Sequence, residues 1–185
     1  MMKTGMKSIF LLGMVVLMAA CNSNQKTEDS HEGHDHSQEA PAAVSSALTA
    51  SVKIKDDKLN AVYQHYIHLT TALTNDNTAE AKVAASAIEI GAKQIDGGAT
   101  LAKAAAEITE SKDIEAQRTT YASLSSEFIS LLKKAGVDSG ELYISHCPMA
   151  LNDKGADWVS NSKEIRNPYF GESMLTCGSV KETIK

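Results

Sequence analysis

Residues 56–77 read DDKLNAVYQHYIHLTTALTNDN, and this stretch decides the fold. Leu59, Val62, Tyr63, Tyr66, Leu69 and Leu73 recur at three- and four-residue spacing, the period of one helix face. Asp56 or Asp57 stands where an N-cap belongs, and Asn75-Asp76-Asn77 is turn chemistry. Reading outward, Asn77 with Glu80 has the pattern of a capping box. It opens an alanine-rich helix with Ala84, Ala87, Ile88, Gly91 and Ile95 on one face, and Gly97-Gly98 breaks it. A shorter helix from Thr100 to about Glu110 carries Leu101, Ala105 and Ile108. The longest runs from about Lys112 to Ala135, with Ile114, Tyr121, Leu124, Phe128, Leu131 and Leu132 as its face and Gly136 at C′. Short connections make these helices antiparallel neighbours. The expected fold is mainly α, a small antiparallel bundle over residues 54–136.

After Gly136 the character changes. Gly, Pro, Asn, Asp and Ser recur every few residues and no period lasts, so residues 137–185 read as an irregular, loop-rich segment. Tyr143, Trp158, Tyr169 and Phe170 give it enough apolar surface to pack on the bundle. His65 and His68, three apart on the first helix, have a spacing that can share a metal, although such pairs are more often plain surface residues.

Toward the N-terminus, Lys3 and Lys7 precede an apolar run from Ile9 to Ala20, too short to span a bilayer. The run ends Leu17-Met18-Ala19-Ala20-Cys21, which resembles the lipobox of bacterial lipoproteins, with Met18 where Leu is usual. The resemblance implies a signal peptide over residues 1–20, cleavage before Cys21 and a diacylglycerol on its sulfur. Residues 21–53 read as a tether: Ser, Glu, Gln and Ala with Pro41 and few large apolar groups cannot repay their ordering entropy. Within it, His31, His34 and His36 alternate with carboxylates and suit weak binding of Cu(II), Zn(II) or Ni(II). The net charge of −5 leaves no basic stripe for nucleic acid. No nucleophile elbow, phosphate loop or His-Glu-x-x-His pattern marks an enzyme.

Five of the seven methionines lie in the leader and Cys21 is assigned to lipid. Every remaining sulfur therefore falls between positions 147 and 177, as Cys147, Met149, Met174 and Cys177. In extended backbone, residues two apart share a face, so His146-Cys147-Pro148-Met149 is expected to present two sulfurs together. In Met174-Leu175-Thr176-Cys177-Gly178 a helical turn does the same. Two thiolates and two thioethers form a soft set that selects Cu(I) or Ag(I) over hard cations, with His146 as an additional donor. Asn167-Pro168-Tyr169-Phe170-Gly171 reads as a turn that frames the pairs, and Trp158 reads as the anchor of a small core. The competing reading is a Cys147–Cys177 disulfide, worth roughly 3–4 kcal/mol for a loop of this size.

The run His146-Cys147-Pro148-Met149-Ala150, Gly155-Ala156-Asp157-Trp158, Ile165 to Gly171 and Met174 to Gly178 resembles a family known as a domain of unknown function. That family occurs as stand-alone lipoproteins and as a C-terminal extension of the periplasmic adaptor subunits of heavy-metal efflux pumps. Cys147-Pro148-Met149 is also similar to the core of short heavy-metal-binding domains on copper transporters. The resemblance covers about Leu59 to Val180. It implies a periplasmic protein that handles copper or silver through Cys147, Met149, Met174 and Cys177, touches the membrane only by its lipid, and meets an efflux adaptor or another copper carrier. The alternative expectation is an envelope interaction module in which Cys147–Cys177 is only a staple.

Overall fold

The structure is a computed structural model that describes residues 51–185. The leader, Cys21 and the histidines at 31, 34 and 36 lie outside the described residues. Four helices follow one another as α1 (Asp57–Thr74), α2 (Thr78–Ala92), α3 (Ala99–Glu110) and α4 (Ile114–Ala135). Each packs on the next, and α4 returns to α1. The described residues are mainly helical, as the periodicity predicts.

The helix ends show why the boundaries fall where they do. Asp56 accepts the Leu59 N–H at 2.7 Å, Asn77 that of Glu80 at 3.0 Å, and Asp113 that of Ala116 at 2.8 Å, each satisfying an orphan donor of a first turn. The Glu80 carboxylate faces His68 Nε2 at 3.0 Å, so the box is half made. All six apolar positions of the α1 stripe are buried. On α2 the buried stripe is Ala81, Ala84, Ala85, Ile88 and Ala92, rotated from the expected face, with Ala87 at its margin. Small side chains there let the helices approach closely. Among the described residues no helix is long and apolar enough to cross a membrane.

The segment after α4 differs from the expectation of irregular chain. β1 (Lys53–Ile54) pairs antiparallel with β2 (Val137–Ser139), tying the entry of the bundle to its exit. β3 (Leu142–Cys147), β4 (Ala156–Ser160) and β5 (Ser179–Ile184) form an antiparallel sheet in the order β4-β3-β5. β3 is its central strand, and Cys147 pairs with Ala156 at its end.

A buried hydroxyl cluster joins sheet to bundle. Tyr66 Oη lies 2.7 Å from Ser125 Oγ and accepts from Tyr121 Oη at 2.9 Å and from the Val159 N–H at 3.0 Å. The last of these satisfies an outward donor of edge strand β4. Thr70 Oγ1 extends the cluster to Tyr121 at 2.7 Å. Tyr66 also stacks on Phe128 with ring centroids 4.2 Å apart. Burial holds Tyr66, Tyr121 and Tyr169 above the usual phenol range and pushes Tyr63 up to about 12.

These phenols predict an alkaline limit. The unfolded chain releases its tyrosine protons near pH 10, before the native protein does, so above that pH the native state holds more protons and unfolding is favoured. Stability is expected to be flat below about pH 10 and to fall as pH rises toward 12. Urea midpoints across this range, read beside phenolate absorbance, test it. Phenolate appearing before unfolding would contradict the assignment.

Candidate metal centre

The structure brings the two cysteines together. Cys147 Sγ and Cys177 Sγ are 3.3 Å apart, and both are free thiols. Cys147 has no exposed surface and belongs to the core with Trp158, Tyr169 and Ala156, whereas Cys177 is partly exposed. The hydrogen bond to Cys147, reinforced by burial and by repulsion from its charge, raises the Cys177 thiol above its ordinary range.

The frame that holds Cys177 is the turn singled out in the sequence. Asn167 is fully buried and every polar atom of it is used. Its side-chain amide donates to the Cys177 carbonyl at 2.8 Å, and its side-chain oxygen accepts the Tyr169 N–H at 2.8 Å. Its own N–H donates to Leu175 O at 2.8 Å, and its carbonyl accepts from Gly171 at 3.1 Å. Tyr169 Oη donates to the Asp157 carbonyl at 2.7 Å, and its ring meets Trp158 edge-on with centroids 6.1 Å apart. Trp158 is 1% exposed, so it is a core anchor, as the sequence suggests. Gly171 has φ +56, and a Cβ there would overlap Arg118 Nη2 and lie 2.6 Å from Asp76 Oδ1.

The methionines part company. A short 3-10 helix over Gly171–Met174 continues through Leu175, and the Cys177 N–H donates to Met174 O at 3.1 Å. The backbone thus makes the turn expected from their spacing. Met149 is different. Its backbone is right-handed helical, φ −86 and ψ −11, and the residue is 46% exposed while Cys147 is buried. The extended Cys147–Met149 arrangement expected from the sequence is therefore not formed. Central strand β3 bonds to neighbours on both sides, and Pro148 has no N–H with which to continue it. The chain turns there instead, and Met149 faces a surface cleft with Glu115, Thr119 and Phe170.

His146 also departs from the thiols. Successive strand residues face opposite ways, and its ring points into a cleft between α4 and the sheet. There His146 Nδ1 lies 2.6 Å from Asp157 Oδ1, and Lys181 Nζ donates to Asp157 Oδ2 at 3.0 Å. Partial burial pushes Asp157 up, but these two hydrogen bonds outweigh it and leave the carboxyl below its usual range. His65 and His68 are exposed on α1, and the latter is paired with Glu80. Among the described residues no three His, Cys, Asp or Glu side chains converge. The donors that the structure brings together are thus the two cysteine sulfurs.

Arg118, which periodicity does not mark as a functional residue, lies on the buried stripe of α4, one turn before Tyr121. Its guanidinium donates to Leu73 O at 3.0 Å, to Pro168 O at 3.0 Å, to Asp76 Oδ1 at 2.5 Å and to Glu115 Oε1 at 2.7 Å. It thereby clamps the Asn167–Gly171 turn to the ends of α1 and α4.

Residues 62–140 match a family described as "Protein of unknown function (DUF3347)". The match runs from within α1 through β2 and stops before Cys147, so the expected kinship to a family of unknown function stands for that helical stretch. No curated protein and no solved structure matches the chain.

Proposed function

We propose that this protein is a periplasmic lipoprotein that binds a soft metal ion, Cu(I) or Ag(I), through Cys147 and Cys177, for sequestration or for transfer to an efflux adaptor or another copper carrier. The observation that carries the reading is the pair of free thiols 3.3 Å apart. With metal–sulfur bonds of about 2.3 Å and tetrahedral angles, two sulfurs stand about 3.8 Å apart, so a small side-chain rotation opens the pair to that span. Two thiolates, with the Met174 thioether recruited as a further donor, would favour soft monovalent ions. The tether histidines would collect Cu(II) or Zn(II) loosely, and Cys21 would carry the anchor.

The test is a Cu(I) titration of the reduced mature chain against a Cu(I) chelator. One ion per chain is expected. Loss of an outer-shell partner costs about 10–100-fold in metal affinity, so Cys147→Ser, which removes a ligand, should cost at least about 100-fold. Met174→Leu is expected to weaken binding by about tenfold, and Met149→Leu to leave it unchanged. Equal uptake by wild type and Cys147→Ser would overturn the proposal.

The same 3.3 Å separation favours a second reading, an interaction module in which the cysteines only form a staple. A chain that takes up no Cu(I) after forced reduction would support that reading instead.

A further inference from the structure

The two thiols touch each other but are not equivalent toward solvent. Cys147 ends the central strand and has no exposed surface. Cys177 follows the surface turn held by Asn167 and is partly exposed. A reagent approaching from solvent meets one sulfur, and the other stands 3.3 Å behind it. Access rather than acidity sets the order of reaction, because a thiolate on either sulfur is of use only where a partner can reach it.

We propose that Cys177 is a site of S-thiolation by small disulfides, and that Cys147 is its resolving thiol. In the first step the Cys177 thiolate attacks one sulfur of a low-molecular-weight disulfide RSSR. A Cys177–SR bond forms, the S–S bond of the reagent breaks, and RS⁻ leaves and takes up the proton given up by Cys177. In the second step the Cys147 thiolate attacks the Cys177 sulfur, forming Cys147–Cys177 and expelling the second RS⁻, which takes the Cys147 proton. Two protein thiols are oxidised and one disulfide is reduced to two thiols. The chemistry stands independently of metal. Its regulatory consequence rests on the soft-metal reading: oxidation consumes both ligands, so the centre binds only when reduced.

Oxidised glutathione is the probe, added to the reduced mature chain carrying Cys21→Ser, with the products read by intact mass. Wild type is expected to lose two hydrogens and keep no adduct. Cys147→Ser, which lacks the resolving thiol, should accumulate one glutathionyl group on Cys177. Cys177→Ser should react about a hundredfold more slowly, since Cys147 is reached only through local opening, and should become as reactive as any thiol in urea. The proposal is overturned if Cys147 in the native Cys177→Ser chain reacts as fast as Cys177 does in Cys147→Ser, or if Cys147→Ser forms no adduct. A parallel sample loaded with Cu(I) separates the two readings. Protection of Cys177 ties both to one centre, whereas unprotected S-thiolation counts against the metal reading and leaves this one standing.

Discussion

Replacing Arg118 by methionine is expected to destabilise the protein by about 2–4 kcal/mol. The figure follows from what the guanidinium leaves behind. Pro168 O, accepting at 3.0 Å beneath a residue 6% exposed, loses its donor, and an unsatisfied buried acceptor costs about 1–3 kcal/mol. Leu73 O loses the guanidinium at 3.0 Å and keeps the Asp76 N–H at 3.3 Å, a loss that adds about 1 kcal/mol. Methionine fills much of the volume of the arginine stem, so cavity formation adds little. The carboxylates on the other side of the clamp contribute less. Asp76 and Glu115 keep 45% and 74% of their side-chain surface exposed, so Asp76→Asn or Glu115→Gln should each cost under about 1 kcal/mol. Urea melts of the three variants give the comparison. Should Arg118→Met lose no more than Glu115→Gln, the carbonyl contacts are not what holds the turn. The variant also carries a functional expectation under the proposed metal reading. Freeing Pro168 loosens the turn whose Asn167 holds the Cys177 carbonyl, so Cu(I) affinity should fall although no ligand is touched.

The helices were legible because each buries one face and leaves the other in water, which writes a 3.6-residue period into the sequence. Leu59 to Leu73 and Tyr121 to Leu132 carry that period strongly enough to fix both the type of element and its caps. Arg118 lies on the same stripe but is not legible as core, because charge on a helix face is ordinarily a sign of exposure; only its partners at Leu73 and Pro168 make it a buried residue. The sheet left no such trace. Leu142, Tyr143, Ile144, Ser145 and Cys147 of β3 are all buried, so the strand shows no alternation, and β4 is only five residues long. At the candidate site, the clustering of sulfurs pointed to Cys147 meeting Cys177, and the turn from Met174 followed from spacing. Met149 did not follow. The preference for extended backbone before proline applies to Cys147 and says nothing of the residue after it, and the central position of β3, which stops the strand at Pro148, is a property of the assembled sheet.

Gly178→Ala should disable the thiol pair without altering either cysteine. Gly178 has φ +132, a conformation that side chains rarely adopt, and a Cβ there would stand 2.7 Å from the His146 carbonyl oxygen and 3.0 Å from Trp158 Cη2. Neither neighbour can yield easily. The carbonyl belongs to the central strand, and Trp158 is packed in the core. Backbone strain of about 1–3 kcal/mol and overpacking of about 1–3 kcal/mol together predict a loss of roughly 2–6 kcal/mol. Relief comes only by moving the 177–178 peptide away from β3, and that motion carries Cys177 from Cys147, because His146 and Cys147 are consecutive in the strand that Gly178 presses against. Air oxidation to the intramolecular disulfide should therefore slow, and under the proposed function Cu(I) affinity should fall by at least about tenfold, the range of an outer-shell defect. Gly97→Ala is the control: its φ is +80 but nothing lies within 4 Å of the added Cβ, so it carries backbone strain alone, about 1 kcal/mol, and leaves the thiols in contact. Thiol counting after timed oxidation reads the separation directly. Equal oxidation rates in Gly178→Ala and Gly97→Ala would mean that the approach of β5 to β3 does not set the distance between the sulfurs.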